Sequence, residues 1–129
     1  MVIDSSAVLA ILLNEPEEEE FLLQIQKATD RYISAASYLE AGMVLRRDPT
    51  GQRLRFFEYM LRAMRIQIAS VSEQQARIAL QAFTLYGKGQ GHPAGLNYGD
   101  CFSYALAKTL GEPLLFKGND FSHTDLHRA

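Results

Sequence analysis

Val2-Ile3-Asp4-Ser5-Ser6-Ala7 places two apolar residues, a carboxylate and two hydroxyls in immediate succession. The apolar pair reads as a short buried strand, and Ser5 or Ser6 is a suitable N-cap for the helix that the apolar run Ala7 to Leu13 begins. A strand that feeds a helix directly is the first unit of an α/β chain. Asp4 stands at the junction, where a carboxylate ending a hydrophobic strand loses hydration and requires a partner.

Moving outward, the same alternation recurs. Glu15-Pro16 opens a second helix with carboxylates in its first turn, where they complement the helix dipole, and Phe21, Leu22 and Ile25 form its apolar face. Arg31 to Ser34 reads as a second strand, with Ser34 or Ser37 capping a helix that runs to about Arg47. Asp48-Pro49 restarts a helix with Asp48 as cap and Pro49 at the first helical position, and Leu54, Phe57, Leu61 and Met64 give it an apolar stripe. Ile66, Ile68 and Val71 bracket a third strand, followed by the capping-box pattern Ser72-Glu73-Gln74-Gln75 and a helix that Gly87 closes. Gly87 to Gly99 holds five glycines and one proline and reads as a loop. A helix from about Gly99 to Leu110 follows, stopped by Gly111, and Pro113 to Phe116 is the fourth strand. Short apolar strands alternating with amphipathic helices predict an α/β fold, a three-layer α/β/α sandwich around a short parallel sheet. A chain of 129 residues fits a single domain spanning 1–129.

Composition agrees with such a domain, at 47% hydrophobic and 22% charged residues. The one cysteine, Cys101, excludes an internal disulfide and a cysteine-rich zinc site. Ala7 to Leu13 is too short to span a bilayer and no basic segment precedes it, so a reduced, cytoplasmic protein without a membrane span is expected. The formal charge of -2 conceals an asymmetry: Arg46 to Arg65 contains six arginines against Asp48 and Glu58, while Glu15 and Glu17 to Glu20 form an acidic run. A helix's first turn accounts for the glutamates. The arginines read equally as a phosphate-tracking surface, a docking surface or a solvated helix face.

Right-handed crossovers bring the C-terminal ends of parallel strands to one edge, where open α/β sheets bind ligands. Asp4 ends the first strand there, and Asp120 follows the fourth after the turn Lys117-Gly118-Asn119. Helices leaving that edge place Asp100 in a first turn beside it and Glu40 in the first turn or two of the helix after the second strand. Each acid has an ordinary explanation: Glu40 pairs with Ser37 in a capping box, Asp100 is a first-turn acid and Asp120 is a turn residue. Their convergence is less ordinary, because two carboxylates about 4 Å apart repel by roughly 4 kcal/mol at an effective dielectric of 20. Such a group needs protons, arginines or a metal, and an oxygen-only set suits Mg²⁺ or Mn²⁺ rather than zinc. His123 and His127 lie in a short polar tail and are a weak candidate pair. The glycine-rich loop around Lys88 lacks the Walker pattern, and no G-x-S-x-G or cysteine–histidine signature marks a covalent nucleophile.

With these residues in view, the sequence resembles the PIN-domain proteins, and specifically the ribonuclease toxins of VapBC-type toxin–antitoxin pairs, the VapC family. The resemblance spans essentially the whole chain. It rests on Val2-Ile3-Asp4-Ser5-Ser6-Ala7, Ser34-Ala35-Ala36-Ser37-Tyr38-Leu39-Glu40, His92-Pro93-Ala94-Gly95-Leu96-Asn97-Tyr98-Gly99-Asp100-Cys101 and Leu114-Leu115-Phe116-Lys117-Gly118-Asn119-Asp120-Phe121. It implies a PIN-like sandwich and a Mg²⁺-dependent endoribonuclease, with Mn²⁺ as a substitute, in which the metal activates water for in-line attack. Asp4 and Asp100 map onto the principal ligands and Glu40 onto a ligand or a base acting through water. The fourth acid is Asp120 or Asp125, since many relatives carry threonine-x-aspartate where this chain has Gly118-Asn119-Asp120 followed by Thr124-Asp125; Asp120 is preferred as nearer the strand end. Ser6 matches a hydroxyl position that supports the metal site in relatives. The implied partners are an RNA substrate, a cognate antitoxin whose segment occludes the site, and a second copy in a homodimer. Two other readings stay open: a metal-dependent phosphohydrolase of small esters, which would show a closed pocket, and a non-catalytic PIN-fold binding module.

Overall fold

The computed structural model describes residues 1–129. Its four strands, β1 (Val2–Ile3), β2 (Tyr32–Ser34), β3 (Gln67–Ala69) and β4 (Leu114–Leu115), form one sheet in the order β3-β2-β1-β4. Every pairing is parallel, with Val2 opposite Tyr32 and Leu114, Ile3 opposite Leu115, and Ser34 opposite Ala69. Six helices cover the sheet: α1 (Ser5–Leu12), α2 (Glu18–Lys27), α3 (Ala35–Leu45), α4 (Gln52–Ala63), α5 (Glu73–Tyr86) and α6 (Tyr98–Leu110).

Successive strand residues point to opposite faces, and the two residues of β1 and β4 divide accordingly. Ile3 and Leu115 pack with Val8, Ile11, Phe21, Ile25, Leu45 and Phe57 from α1 to α4. Val2 and Leu114 pack with Ala79, Ala82, Tyr104, Leu106 and Phe116 on the side of α5 and α6. The sheet is therefore sandwiched between two apolar layers, which is why both β1 residues are apolar with no alternation. β3 is the exposed edge, and it carries the polar Gln67 in keeping with that position. At the other edge, Ala129 donates its backbone N–H to Leu114 and Leu114 donates to His127, so the C-terminal tail lies along β4. The Arg128 guanidinium lies 4.3 Å from the centroid of the Phe116 ring.

Several helix starts differ from expectation. Asp4 itself, rather than Ser5 or Ser6, is the N-cap of α1, its side chain accepting from the Ser6 N–H. Asp48 does not begin α4 directly. Its carboxylate folds into a local turn, accepting from the N–H and hydroxyl of Thr50, and also accepts from the Arg53 N–H. The helix then starts at Gln52 behind Gly51, whose φ of 72° suits glycine. Pro49 consequently stays outside the helix. α2 begins at Glu18 rather than at Pro16, with no side-chain cap. Ser34 caps α3, accepting from Ala36 N–H, so Ser37 lies inside the helix and the Ser37–Glu40 capping box does not form. Ser72 caps α5 and Gly111, at φ 65°, ends α6 as the sequence predicts.

Candidate metal centre

Asp4 is 2% exposed at the exit of β1. Capping α1 fixes one of its oxygens, Oδ2, which takes the Ser6 N–H at 3.0 Å. The other, Oδ1, accepts from the Ser103 hydroxyl at 2.5 Å, and Ser103 in turn lies 3.0 Å from the Ser37 hydroxyl. Both serines are buried. The carboxylate is thus held from both sides by donors on different elements.

Asp100 occupies the third position of α6 in a reciprocal capping box: its N–H goes to Asn97 Oδ1, and its Oδ2 accepts the Asn97 N–H. Burial pushes its carboxyl up to about 7; the Asn97 hydrogen bond opposes the shift, while the negative charges of Asp4 and Asp120 add to it. The sheet edge therefore brings both Asp4 and Asp120 within electrostatic reach of Asp100. Asp120 is exposed on the loop beyond β4. That loop is anchored by the Lys117 N–H, which donates to the Ser6 hydroxyl at 3.0 Å. Ser6 thus positions the start of the loop that leads to Asp120.

Glu40 reaches the same region from α3. Its Oε1 accepts from the Ser5 hydroxyl at 2.5 Å, and its carboxylate lies against Gly99, beside Asp100. A β-carbon at Gly99 would overlap that carboxylate, so the absence of a side chain there is what admits Glu40. Asp125 accepts from the Tyr104 hydroxyl and the Lys108 ammonium, both at 2.7 Å. Cys101 is buried, its thiol pushed up to about 11 by burial and then by Asp100, and donates to the Asn97 carbonyl. It behaves as a small core residue. The Lys88 loop closes on itself, its backbone bonded to Leu96 and its His92 stacked edgewise on Tyr86.

The donor set of these acids would suit a hard divalent cation: every side-chain donor atom is oxygen, and no lysine or arginine forms an ion pair with Asp4, Glu40, Asp100 or Asp120. No three histidine, cysteine or carboxylate side chains are drawn together as a finished metal-ligand group, His123 and His127 included. The two observations agree, because charge acts over distances longer than a coordination bond and like carboxylates repel. Sequence reasoning missed Ser5 and Ser103 as partners of Glu40 and Asp4. The one available signal was polar spacing, Ser103 falling one helical turn after Asp100 within the otherwise apolar run Cys101 to Ala107.

Residues 1–126 match the PIN domain family model. The chain belongs to the PIN-domain family. Within it, the chain is 47% identical over 131 residues to Ribonuclease VapC28 of Mycobacterium tuberculosis, covering 100% of this chain and 97% of that protein. It is 46% identical over 129 residues to Ribonuclease VapC30 of the same organism, covering 98% and 95%. These relatives place the chain in the VapC family. Among solved structures, the sarcin-ricin loop cleaving toxin VapC20 of Mycobacterium tuberculosis superposes with a TM-score of 0.79 at 13% identity, over 99% of this chain and 97% of that one. FitAcB from Neisseria gonorrhoeae gives 0.70 at 20% identity, over 99% and 96%. At those identities the likeness speaks for the fold, and it is the parallel α/β/α sandwich read from the sequence.

Proposed function

We propose that this chain is a divalent-metal-dependent endoribonuclease and the toxin of a toxin–antitoxin pair. The observation that carries the reading is the grouping at one sheet edge of Asp4 and Asp120 around Asp100, whose ionisation both oppose, with no basic side chain paired to any of the three. The full-length likeness to proteins named as VapC ribonucleases supplies the substrate class.

Asp4 and Asp100 would be the principal ligands of Mg²⁺, or of Mn²⁺ in its place, with Glu40 a ligand or a base through water and Asp120 serving a second or weaker site. When bound, the metal supplies Lewis acidity toward the phosphate and a water made nucleophilic near neutral pH. The chain's own contribution is positioning. Ser6 and Ser103 fix the two oxygens of Asp4, Asn97 fixes one oxygen of Asp100, and Ser5 directs Glu40.

An antitoxin partner is supported by a structural relative solved as a toxin–antitoxin complex from Klebsiella pneumoniae, and by the structural likeness to VapBC-1 from nontypeable Haemophilus influenzae. A groove of about 760 Å³ between α1, α2 and α4, lined by Leu12, Leu22, Phe56, Tyr59 and Met60, has the apolar character that a partner helix would cover. The homodimer is checked by sedimentation velocity of the purified chain.

The test is cleavage of a labelled RNA panel with and without Mg²⁺ or Mn²⁺, comparing wild type with Asp4→Asn and Asp100→Asn, each freed of partner. Metal-dependent cutting lost in both variants is expected. Undiminished cutting by both would overturn the site, and a folded wild type that cuts no RNA in any metal would favour the non-catalytic binding module.

A further inference from the structure

We infer that Ser103 is a positioning residue for the metal centre, setting the orientation of Asp4 by hydrogen bonding; the inference rests on the proposed reading of Asp4 as a metal ligand. The geometry is a buried chain of three side chains. Ser37 Oγ lies 3.0 Å from Ser103 Oγ, and Ser103 Oγ lies 2.5 Å from Asp4 Oδ1. Ser37, Ser103 and Asp4 are 1%, 0% and 2% exposed, so water does not compete at any link.

Chemistry fixes the direction of donation. Ser103 donates its single proton to Asp4, so in the Ser37–Ser103 bond Ser37 must be the donor. A hydroxyl that also accepts a hydrogen bond is polarised into a better donor. With the Ser6 N–H on Oδ2, each oxygen of Asp4 has one fixed donor and keeps lone-pair capacity for a cation. The carboxylate plane is thereby set by groups that do not move with solvent, and ligands held in this way bind metal more tightly than free ones.

Position along the helices gives the chain its consequence. Ser103 lies one turn after Asp100 on α6, and Ser37 lies one turn before Glu40 on α3. The Ser37–Ser103 hydrogen bond therefore joins the helices that carry two of the acids, and its far end holds a third. A shift of α6 against α3 would be transmitted to Asp4 through Ser103. No other side-chain hydrogen bond joins α3 to α6.

The experiment titrates Mn²⁺ into the metal-free chain and follows the loss of the free-ion signal by electron paramagnetic resonance, for wild type, Asp4→Asn, Ser103→Ala and Ser37→Ala, with melting curves of each metal-free protein. Ser103→Ala is expected to bind Mn²⁺ about tenfold or more weakly than wild type while still melting cooperatively. Ser37→Ala keeps the Ser103 donation and is expected to lose less. Ser103→Cys, close in size but a poor donor, is measured in place of the alanine variant should that one not fold, and the same weakening is expected of it. Wild-type affinity in the Ser103 variant overturns the inference, as does an equal loss in Ser37→Ala, which would assign the effect to helix packing. If Asp4→Asn binds as tightly as wild type, or wild type binds no Mn²⁺, the metal-ligand reading of Asp4 falls and takes this inference with it.

Discussion

Gly99 stands so close to Glu40 that a β-carbon on the glycine would fall within the glutamate's carboxylate. The obstructing atoms are the end of a flexible side chain, so Gly99→Ala is expected to displace Glu40 rather than break α6. The displaced carboxylate would also leave the Ser5 hydroxyl, which now donates to it at 2.5 Å. The expected outcome is a folded protein whose RNA cleavage falls by up to about a hundredfold, the scale of cost for misplacing a catalytic group by about 1 Å. Paired cleavage rates and melting curves check this. Wild-type cleavage in Gly99→Ala would remove Glu40 from the site.

Much of the architecture could be read from the chain because its local signals agree with its long-range ones. Val2-Ile3 and Leu114-Leu115 are apolar at both positions, as two-sided burial demands. Ser72 and Gly111 mark helix ends that form where expected. The misplacements arise where several residues compete for one role. Asp4, Ser5 and Ser6 are all good caps, and only the tertiary roles of the two serines, toward Glu40 and toward Lys117, leave the cap to Asp4. Likewise Ser37 looks like a cap for Glu40 until its pairing with Ser103, 66 residues away, is seen. Nothing local in a sequence encodes such a pairing.

The exposed arginines Arg46, Arg47, Arg53, Arg55, Arg62 and Arg65 form no ion pairs with acidic side chains. If they track a phosphate backbone, replacing Arg46 and Arg47 by glutamine should weaken RNA binding across sequences. The slope of log affinity against log salt should also become shallower by about 0.7 for each phosphate of a single strand that is no longer neutralised. Fluorescence anisotropy with a catalytically silent Asp4→Asn background measures this. An unchanged slope assigns these two arginines to a solvated or protein-docking face.

Asp100 makes stability depend on pH in a direction opposite to that of most carboxylates. Its ordinary value is 3.8 and burial, reinforced by Asp4 and Asp120, raises it to about 7 in the folded chain. Between those values the folded state holds a proton that the unfolded state has released, so the contribution of Asp100 to stability is present below about pH 4 and is lost as pH rises through 7. An asparagine at this position would carry no such charge and could still accept from the Asn97 N–H. In metal-free protein, Asp100→Asn is therefore expected to melt several degrees above wild type at pH 8, an effect on the order of a few kcal/mol, with the gap closing toward pH 4. Adding Mg²⁺ at pH 8 should narrow the gap by stabilising wild type alone. Calorimetry at both pH values decides it, and a gap that does not change with pH would refute the linkage.

Asp120 and Asp125 are separated by what they touch. Burial opposes ionisation of Asp125, but hydrogen bonds from Lys108 and Tyr104 outweigh it and hold the carboxyl below its usual range. The Lys108 pair is about half exposed and contributes little by itself. The Tyr104 hydroxyl is the stronger tie, since Tyr104 is buried in the core beside α5. Asp125→Ala is expected to cost about 1–2 kcal/mol through that unpaired hydroxyl and to loosen the tail along β4, with cleavage per folded molecule unchanged. Asp120→Asn should do the reverse: its side chain is exposed and its negative charge works against Asp100, so removing that charge should leave melting unchanged or raise it slightly. Cleavage should nevertheless fall at least about tenfold if Asp120 helps hold a metal. Chemical denaturation and cleavage assays on both variants give a crossed pattern. Loss of cleavage in folded Asp125→Ala, with Asp120→Asn fully active, would move the fourth acid of the site to the tail.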